Sequence, residues 1–361
     1  MVQVRNITGL SREFIIHPGE TLSEVIEDRG MTQSELAVRT GMTEKHISTV
    51  INGSKGISAV FAKRLEFALG IEASFWMNLQ ANYERELCEF EEINSITAEE
   101  CEVLDNLKEI NGRWIEYGWI DDEEDPVTKV MDMRSLLRVS NLLDLPKVPS
   151  VASCHIQKKH ADVDPYILCA WQRTCELMSE GKLVSKEINV DLLRTKLTDI
   201  KKAMLLKEDR IRKRLMSIFA ECGITFIVVP YFDGAPVEGY ISKCENGSVT
   251  FCITQRQYYS DSFWLALFRG IVHILNGDIK GRLTDFESDA DACDRRTTRL
   301  AQDLLIDADD YKILVESGLY TDDQKVTEFA QMHKIEDFIV YGRLVKDGLL
   351  SWENRPEYDW S

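Results

Sequence analysis

The sequence predicts a mainly helical chain with a small α+β part toward its C-terminal end. Three observations carry that expectation. From His17 to Leu143, apolar residues recur at three- and four-residue spacing between glycine and proline breaks, the period of amphipathic helices. After Gly223 the pattern changes to short continuous apolar runs bounded by turn residues, as in buried strands. Helical spacing then returns from Asp261 to Leu275.

Composition bounds the classes of function. With 361 residues, 44% of them hydrophobic, the chain supports two or three packed domains. No run of about 18 apolar residues is present and Met1 to Leu10 lacks an apolar signal core, so a cytoplasmic protein without membrane contact is expected. Nine cysteines, odd in number and never spaced C-x-x-C, point to reduced and mostly buried thiols. Cys154, His155, His160, Cys169 and Cys175 form the one local cluster of metal-ligand chemistry, but at no known zinc spacing; packing is the preferred reading, and no metal or cofactor is expected.

The formal net charge of -18 opposes non-specific attraction to phosphate. Its distribution qualifies this. Between Arg29 and Arg64 lie six basic residues (29, 39, 45, 55, 63, 64) and two acidic ones (35, 44), a local balance of +4, whereas the acidity gathers from Glu84 to Asp125.

Taken in order, residues 1 to 16 alternate weakly and allow an arm or short strand. His17-Pro18-Gly19-Glu20 opens a helix, with proline just inside its start and Leu22, Val25 and Ile26 as its stripe. Thr32 caps a second helix bearing Leu36, Ala37 and Val38, and Thr32 with Glu35 has capping-box spacing. Gly41 supplies a turn. Thr43 caps a third helix whose Met42, Ile47, Val50 and Ile51 point inward, leaving Glu44, Lys45, His46, Ser48, Thr49 and Asn52 outward.

Two short helices about a glycine turn have the pattern of a DNA-binding helix-turn-helix. The outward amide, hydroxyls, imidazole and lysine suit base edges in a major groove. The expected DNA-binding set is Gln33, Thr43, Lys45, His46, Ser48, Thr49, Asn52 and Lys55, with Gln33 bracing against phosphate or base and Lys55 contacting phosphate. A fourth helix runs from Ser58 to Leu69, and a fifth opens at Ser74-Phe75-Trp76-Met77.

Here a specific resemblance enters. His17-Pro18-Gly19-Glu20, Gln33-Ser34-Glu35-Leu36-Ala37, Ile51-Asn52-Gly53, Gly56-Ile57-Ser58 and Phe75-Trp76-Met77-Asn78-Leu79-Gln80-Ala81-Asn82-Tyr83 resemble the HigA family of antitoxin repressors, within the xenobiotic-response-element class. The resemblance spans about residues 14 to 88. It implies a five-helix, lambda-repressor-like domain that binds the operator of its own operon as a homodimer, with half-sites roughly 10 bp apart, and a cognate toxin protein as partner.

Residues 89 to 220 read as mainly helical, with Trp171 buried or half-buried in a helix from Tyr166 to Met178. Lys196 to Arg214 holds eight basic and three acidic residues. A solvated face, or a partner for the acidic Glu84 to Asp125 surface, is preferred there to a second phosphate contact, because charge runs usually solvate. Ile224 to Pro230, Val237 to Ser242 and Ser248 to Thr254 read as strands, with a hairpin-like turn at Glu245-Asn246-Gly247-Ser248, so a small antiparallel sheet is expected.

The strands and the following Asp261 to Leu275 segment resemble the ImmA/IrrE metallopeptidase-like domain, a zincin-like α+β fold whose helix carries H-E-x-x-H. Ala301-Gln302-Asp303-Leu304-Leu305-Ile306 and Ile339-Val340-Tyr341-Gly342-Arg343-Leu344 extend the resemblance. At the positions it assigns to zinc chemistry, the first histidine is Arg269, the glutamate is Gly270, only His273 remains, and the third ligand falls on Arg296. An arginine has no lone pair for a metal. Asp289, Asp291 or Asp294 offers a carboxylate only under a shifted register. A peptidase-derived domain without peptidase activity is therefore expected, its arginines either pairing with nearby aspartates or forming an anion pocket.

The expected organisation is a helix-turn-helix domain over 1-88, a helical platform over 89-195 and the peptidase-like domain over 196-361. The expected function is an autorepressor and antitoxin; the alternatives are a regulatory zinc peptidase and a ligand-responsive repressor without a toxin.

Overall fold

The computed structural model describes residues 12–122, 125–148, 164–234, 237–255, 260–279, 282–286 and 292–351. By internal contacts the chain parts into two compact units, Met1–Asp105 with Ile120–Leu142, and Asn106–Trp119 with Leu143–Ser361. The first is helical, and the second adds a small sheet.

In the first unit, five helices follow the expected order: α1 (Pro18–Asp28), α2 (Gln33–Thr40), α3 (Glu44–Ile51), α4 (Ala59–Leu69) and α5 (Ala73–Ser95). Their starts are set by side-chain caps. Thr32, Thr43 and Ser58 accept the backbone N–H of the residue three positions on, and His17 Nδ1 accepts that of Gly19. Leu22, Leu36, Ile47, Val50, Phe61, Leu65 and Trp76 are fully buried and form the core. Val38, Val60 and Phe67, apolar positions of α2 and α4, are instead exposed.

The motifs that carry the first resemblance meet inside this domain. The His17 ring packs edge-on against Tyr83 at 4.7 Å, and burial pushes its pKa down against a smaller pull upward from Glu20. A Cβ on Gly19 would stand 2.0 Å from the carbonyl oxygen of Val50, and one on Gly56 2.7 Å from Gln80 Nε2. Gln80 Oε1 accepts the Ile57 N–H at 2.7 Å, and its Nε2 donates to Glu84. These glycines and amides are joints between helices.

The unit continues through α6 (Ala98–Asn106) and α8 (Pro126–Leu137), with α7 (Lys108–Glu116) between them in the chain but in the second unit. Glu100 of α6 is fully buried. Both its oxygens take the Arg134 guanidinium of α8, at 2.7 and 2.6 Å, and one also accepts the Leu142 N–H. A buried carboxylate persists when its lone pairs are satisfied in this way.

In the second unit, α9 (Pro165–Ser179) buries Trp171 and receives the Trp114 indole N–H of α7 on Thr174, at 2.9 Å. Helices α10 (Val190–Ala203) and α11 (Glu208–Glu221) precede β1 (Ile224–Pro230), β2 (Val237–Lys243) and β3 (Val249–Gln255), the strands matching the apolar runs closely. Four of the eight basic residues between 196 and 214 are engaged: Lys196 with Glu221, Lys202 with Asp199, Lys201 on the Leu305 carbonyl and Arg212 on that of Val228.

The sheet corrects one expectation, since it is mixed. Strand order is β1-β3-β2-β4, with β2 and β3 an antiparallel hairpin turning at Gly247, but β1 parallel to β3. Strand β4 (Arg282–Phe286), which the apolar pattern did not mark, adds antiparallel to β2. The almost wholly buried run of β1 fits a strand in either direction, so periodicity leaves polarity open.

Helix α12 (Ser260–Asn276) lies on this sheet and contributes the fully buried Trp264, Phe268 and Ile271. Beyond it come α13 (Ala292–Leu305), α14 (Ala308–Glu316), α15 (Asp323–His333) and α16 (Asp337–Lys346). Phe219, Phe226 and Phe251, from α11, β1 and β3, form an aromatic cluster with ring centroids 4.9 to 5.8 Å apart.

Candidate nucleic-acid interface

Helices α2 and α3 meet at Gly41, whose φ of 61° closes α2 in the left-handed region open to glycine. Arg64 of α4 holds the turn from behind, donating to the carbonyls of Thr40 and Gly41 at 3.3 and 3.1 Å. Sequence reasoning counted Arg64 only as charge; its spatial role depends on a contact across more than twenty residues. The capping box is half made: Thr32 accepts the Glu35 N–H, while the Glu35 carboxylate takes Arg39, one turn on, at 2.6 Å.

The expected DNA-contacting residues divide by environment. Lys45, Asn52 and Lys55 are exposed, and Ser48 is half-buried with its hydroxyl accepting from Asn52 Nδ2 at 3.3 Å. These four form the polar surface available to a ligand. Thr43 is exposed, but its oxygen caps the His46 N–H. Thr49 turns its hydroxyl onto the His46 carbonyl at 2.8 Å. Gln33 is half-buried in the first turn of α2.

His46 departs from the expected outward orientation. Its ring stands edge-on to Phe61 with centroids 5.0 Å apart, Nε2 is buried without a partner, and Nδ1 lies 3.2 Å from Lys55 Nζ. The reason is helical: position 46 shares a face with Val50, four residues on, and is drawn to the core edge.

The basic island is also partly committed. Arg29 donates to the Leu69 carbonyl, Arg39 pairs with Glu35, Lys63 with Glu66, and Arg64 holds the turn. Lys45 and Lys55 are left to meet an external anion.

In the second unit, Arg269 is 2% exposed and lies 3.4 Å from Glu238 of β2. Arg296 is exposed on α13, so the two arginines do not share one environment. A Cβ on Gly270 would stand 2.2 Å from Phe251 Cζ. His273 is buried, its Nδ1 3.0 Å from Asp278 Oδ2. Asp289 and Asp291 lie outside the described residues, as do Cys154, His155 and His160; Cys169 donates to the Leu145 carbonyl and Cys175 is fully buried.

The two C-terminal motifs meet at Arg343, which donates to the carbonyls of Gln302 and Ile306 at 3.0 Å each and to Asp303 at 2.6 Å, with its guanidinium over the Tyr311 ring. Among the described residues, no group of three or more histidine, cysteine, aspartate or glutamate side chains is arranged to hold a metal ion, and no helix is long and apolar enough to cross a membrane.

The helix-turn-helix family profile matches residues 22–76. Virulence-associated protein A' of Dichelobacter nodosus is 35% identical over 69 residues, 19% of this chain and 60% of that protein. Virulence-associated protein I of the same organism is 32% identical over 75 residues, 20% of this chain and 69% of that protein. The chain thus spans less than two thirds of the first relative. Among solved structures, the Pseudomonas aeruginosa antitoxin HigA with the higBA promoter is 32% identical, covering 20% of this chain and 80% of that one, with a TM-score of 0.20. An addiction module antidote protein of a HigA family from Coxiella burnetii is 27% identical, covering 28% and 91%, with a TM-score of 0.19. Through its N-terminal domain, the chain belongs to the helix-turn-helix family of DNA-binding proteins.

Proposed function

We propose that the chain is a cytoplasmic, sequence-specific transcriptional repressor and antitoxin, binding the operator of its own operon as a homodimer. Helix α3 is the recognition helix. The observation that carries this reading is the surface of Lys45, Ser48, Asn52 and Lys55, exposed or half-buried on α3 and the loop that follows it, with the turn before α3 held from behind by Arg64 and α3 itself met by the close Gly19–Val50 approach. An α-helix fits the major groove, where amide and hydroxyl groups read base edges and lysines meet phosphate.

The C-terminal domain, in this reading, is a peptidase-derived ImmA/IrrE-like fold that binds the cognate toxin or a signal and performs no hydrolysis. A zinc ion does not fit these residues. Arg269 has no lone pair and is neutralised by Glu238, a glutamate at 270 would run into Phe251, and His273 is engaged by Asp278.

Lys45→Ala and Asn52→Ala each weaken binding to a duplex of the promoter DNA upstream of the reading frame roughly fivefold or more, about 1 kcal/mol. The far-ultraviolet circular dichroism stays unchanged. Equal affinity for both variants and the parent, by gel shift at fixed salt, sinks the recognition-helix assignment. Co-expression with the adjacent reading frame tests the toxin: a complex that survives purification supports it, and separate elution of the two proteins contradicts it.

A further inference from the structure

We propose that His46 is a positioning residue which, as a neutral imidazole, holds the Lys55 ammonium on the DNA-facing side of α3 and releases it on protonation. The proposal rests on the DNA-binding reading above and adds a pH response to it.

The contact is fixed at both ends. The Ser54 and Lys55 N–H groups both donate to the Thr49 carbonyl, at 2.9 and 3.1 Å, fastening the loop to the last turn of α3. The His46 ring is set by its edge-on packing against Phe61. Nδ1 then lies 3.2 Å from Lys55 Nζ, the ammonium's one contact among the described residues.

An ammonium only donates, so Nδ1 is the acceptor and the ring carries its proton on Nε2. That nitrogen is buried and meets no acceptor among the described residues, so no second hydrogen bond competes for the ring's orientation. Two of the three ammonium protons stay available for a phosphate, and a long, flexible side chain is ordered before DNA arrives.

The neighbouring charges give the sign. Phe61 is the α4 residue against the ring; the α4 cations are engaged elsewhere, Lys63 by Glu66 and Arg64 by the turn carbonyls, while Glu44 and Lys45 of α3 are exposed. Burial and, to a smaller degree, Lys55 push the His46 pKa down. The ring is therefore neutral at neutral pH, and the hydrogen bond is lost as pH falls through the lowered value. Protonation places two cations in contact and expels the lysine. A histidine touching phosphate directly behaves oppositely, binding more tightly when charged.

The test measures affinity for the promoter duplex between about pH 8 and about pH 5.5 in the full chain. Relative to His46→Gln, which keeps a neutral acceptor and cannot titrate, the parent loses about two- to fivefold more affinity on acidification, the scale of one exposed charge contact. At the higher pH, His46→Leu loses part of the affinity that Lys55→Ala loses, and the double variant loses no more than Lys55→Ala. A parent whose affinity changes with pH as that of His46→Gln does, or rises more on acidification, or full affinity in His46→Leu beside a weakened Lys55→Ala, overturns the proposal. Histidine NMR without DNA isolates the contact: Lys55→Ala raises the His46 titration midpoint, and an unmoved midpoint refutes the pairing. If the midpoint moves but neither Lys45→Ala nor Lys55→Ala changes DNA affinity, the contact stands while the DNA role and the proposal fall.

Discussion

In the N-terminal unit the residues that carry the family resemblance turn inward, and the side chains that meet solvent on α3 are ordinary polar ones. His17, Gly19, Gly56 and Gln80 join helices to one another, whereas the side chains of Lys45, Ser48 and Asn52 are exposed or half-buried and, among the described residues, make no hydrogen bond beyond α3 and its cap. In the C-terminal unit the positions that the second resemblance would assign to chemistry are packing positions. Gly270 lies under Phe251 and Arg269 is buried against Glu238. The residues of both motifs thus serve as scaffold, and only side-chain environments show it.

The sharpest way to break this comparison is Gly270→Glu. A glutamate there forces a carboxylate into space held by the Phe251 ring, so the variant loses about 4 kcal/mol or more, from overpacking and charge burial together. A melting temperature within a few degrees of the parent means the site is open after all. Next in size is Glu238→Ala, which removes the carboxylate 3.4 Å from the buried Arg269 guanidinium and costs about 3 kcal/mol by chemical denaturation. Replacing both residues with leucine recovers most of that loss if the pair is packing, and recovers none if the guanidinium serves another contact. Smaller again is Gln80→Leu, which strands the Ile57 N–H and lowers N-terminal stability by about 1 to 2 kcal/mol. Operator affinity per folded molecule is unchanged in that variant, since Gln80 is a joint and not a contact.

Much of this was legible in the sequence where the physics is local. Thr32, Gly41 and Thr43 punctuate α2 and α3 as their capping chemistry requires, and β1 coincides with its apolar run. Contacts between distant residues were not legible. The Arg269–Glu238 pair, the parallel register of β1 with β3 and the hold of Arg64 on the turn are set by tertiary packing. His46 shows the limit within a single helix, because a residue at the border of an amphipathic face goes to whichever neighbour offers packing, here Phe61 of another helix.

The close approach of Gly19 to the Val50 carbonyl has a consequence for how binding preference can change. The depth and tilt of α3 are registered by backbone against backbone, with no side chain as a spacer. Its outer positions can therefore be rewritten, Lys45, Ser48 and Asn52 among them, without shifting the helix that presents them. On the proposed DNA-binding reading, such a domain changes its base preference by surface substitution alone, its stability and its specificity evolving on separate residues.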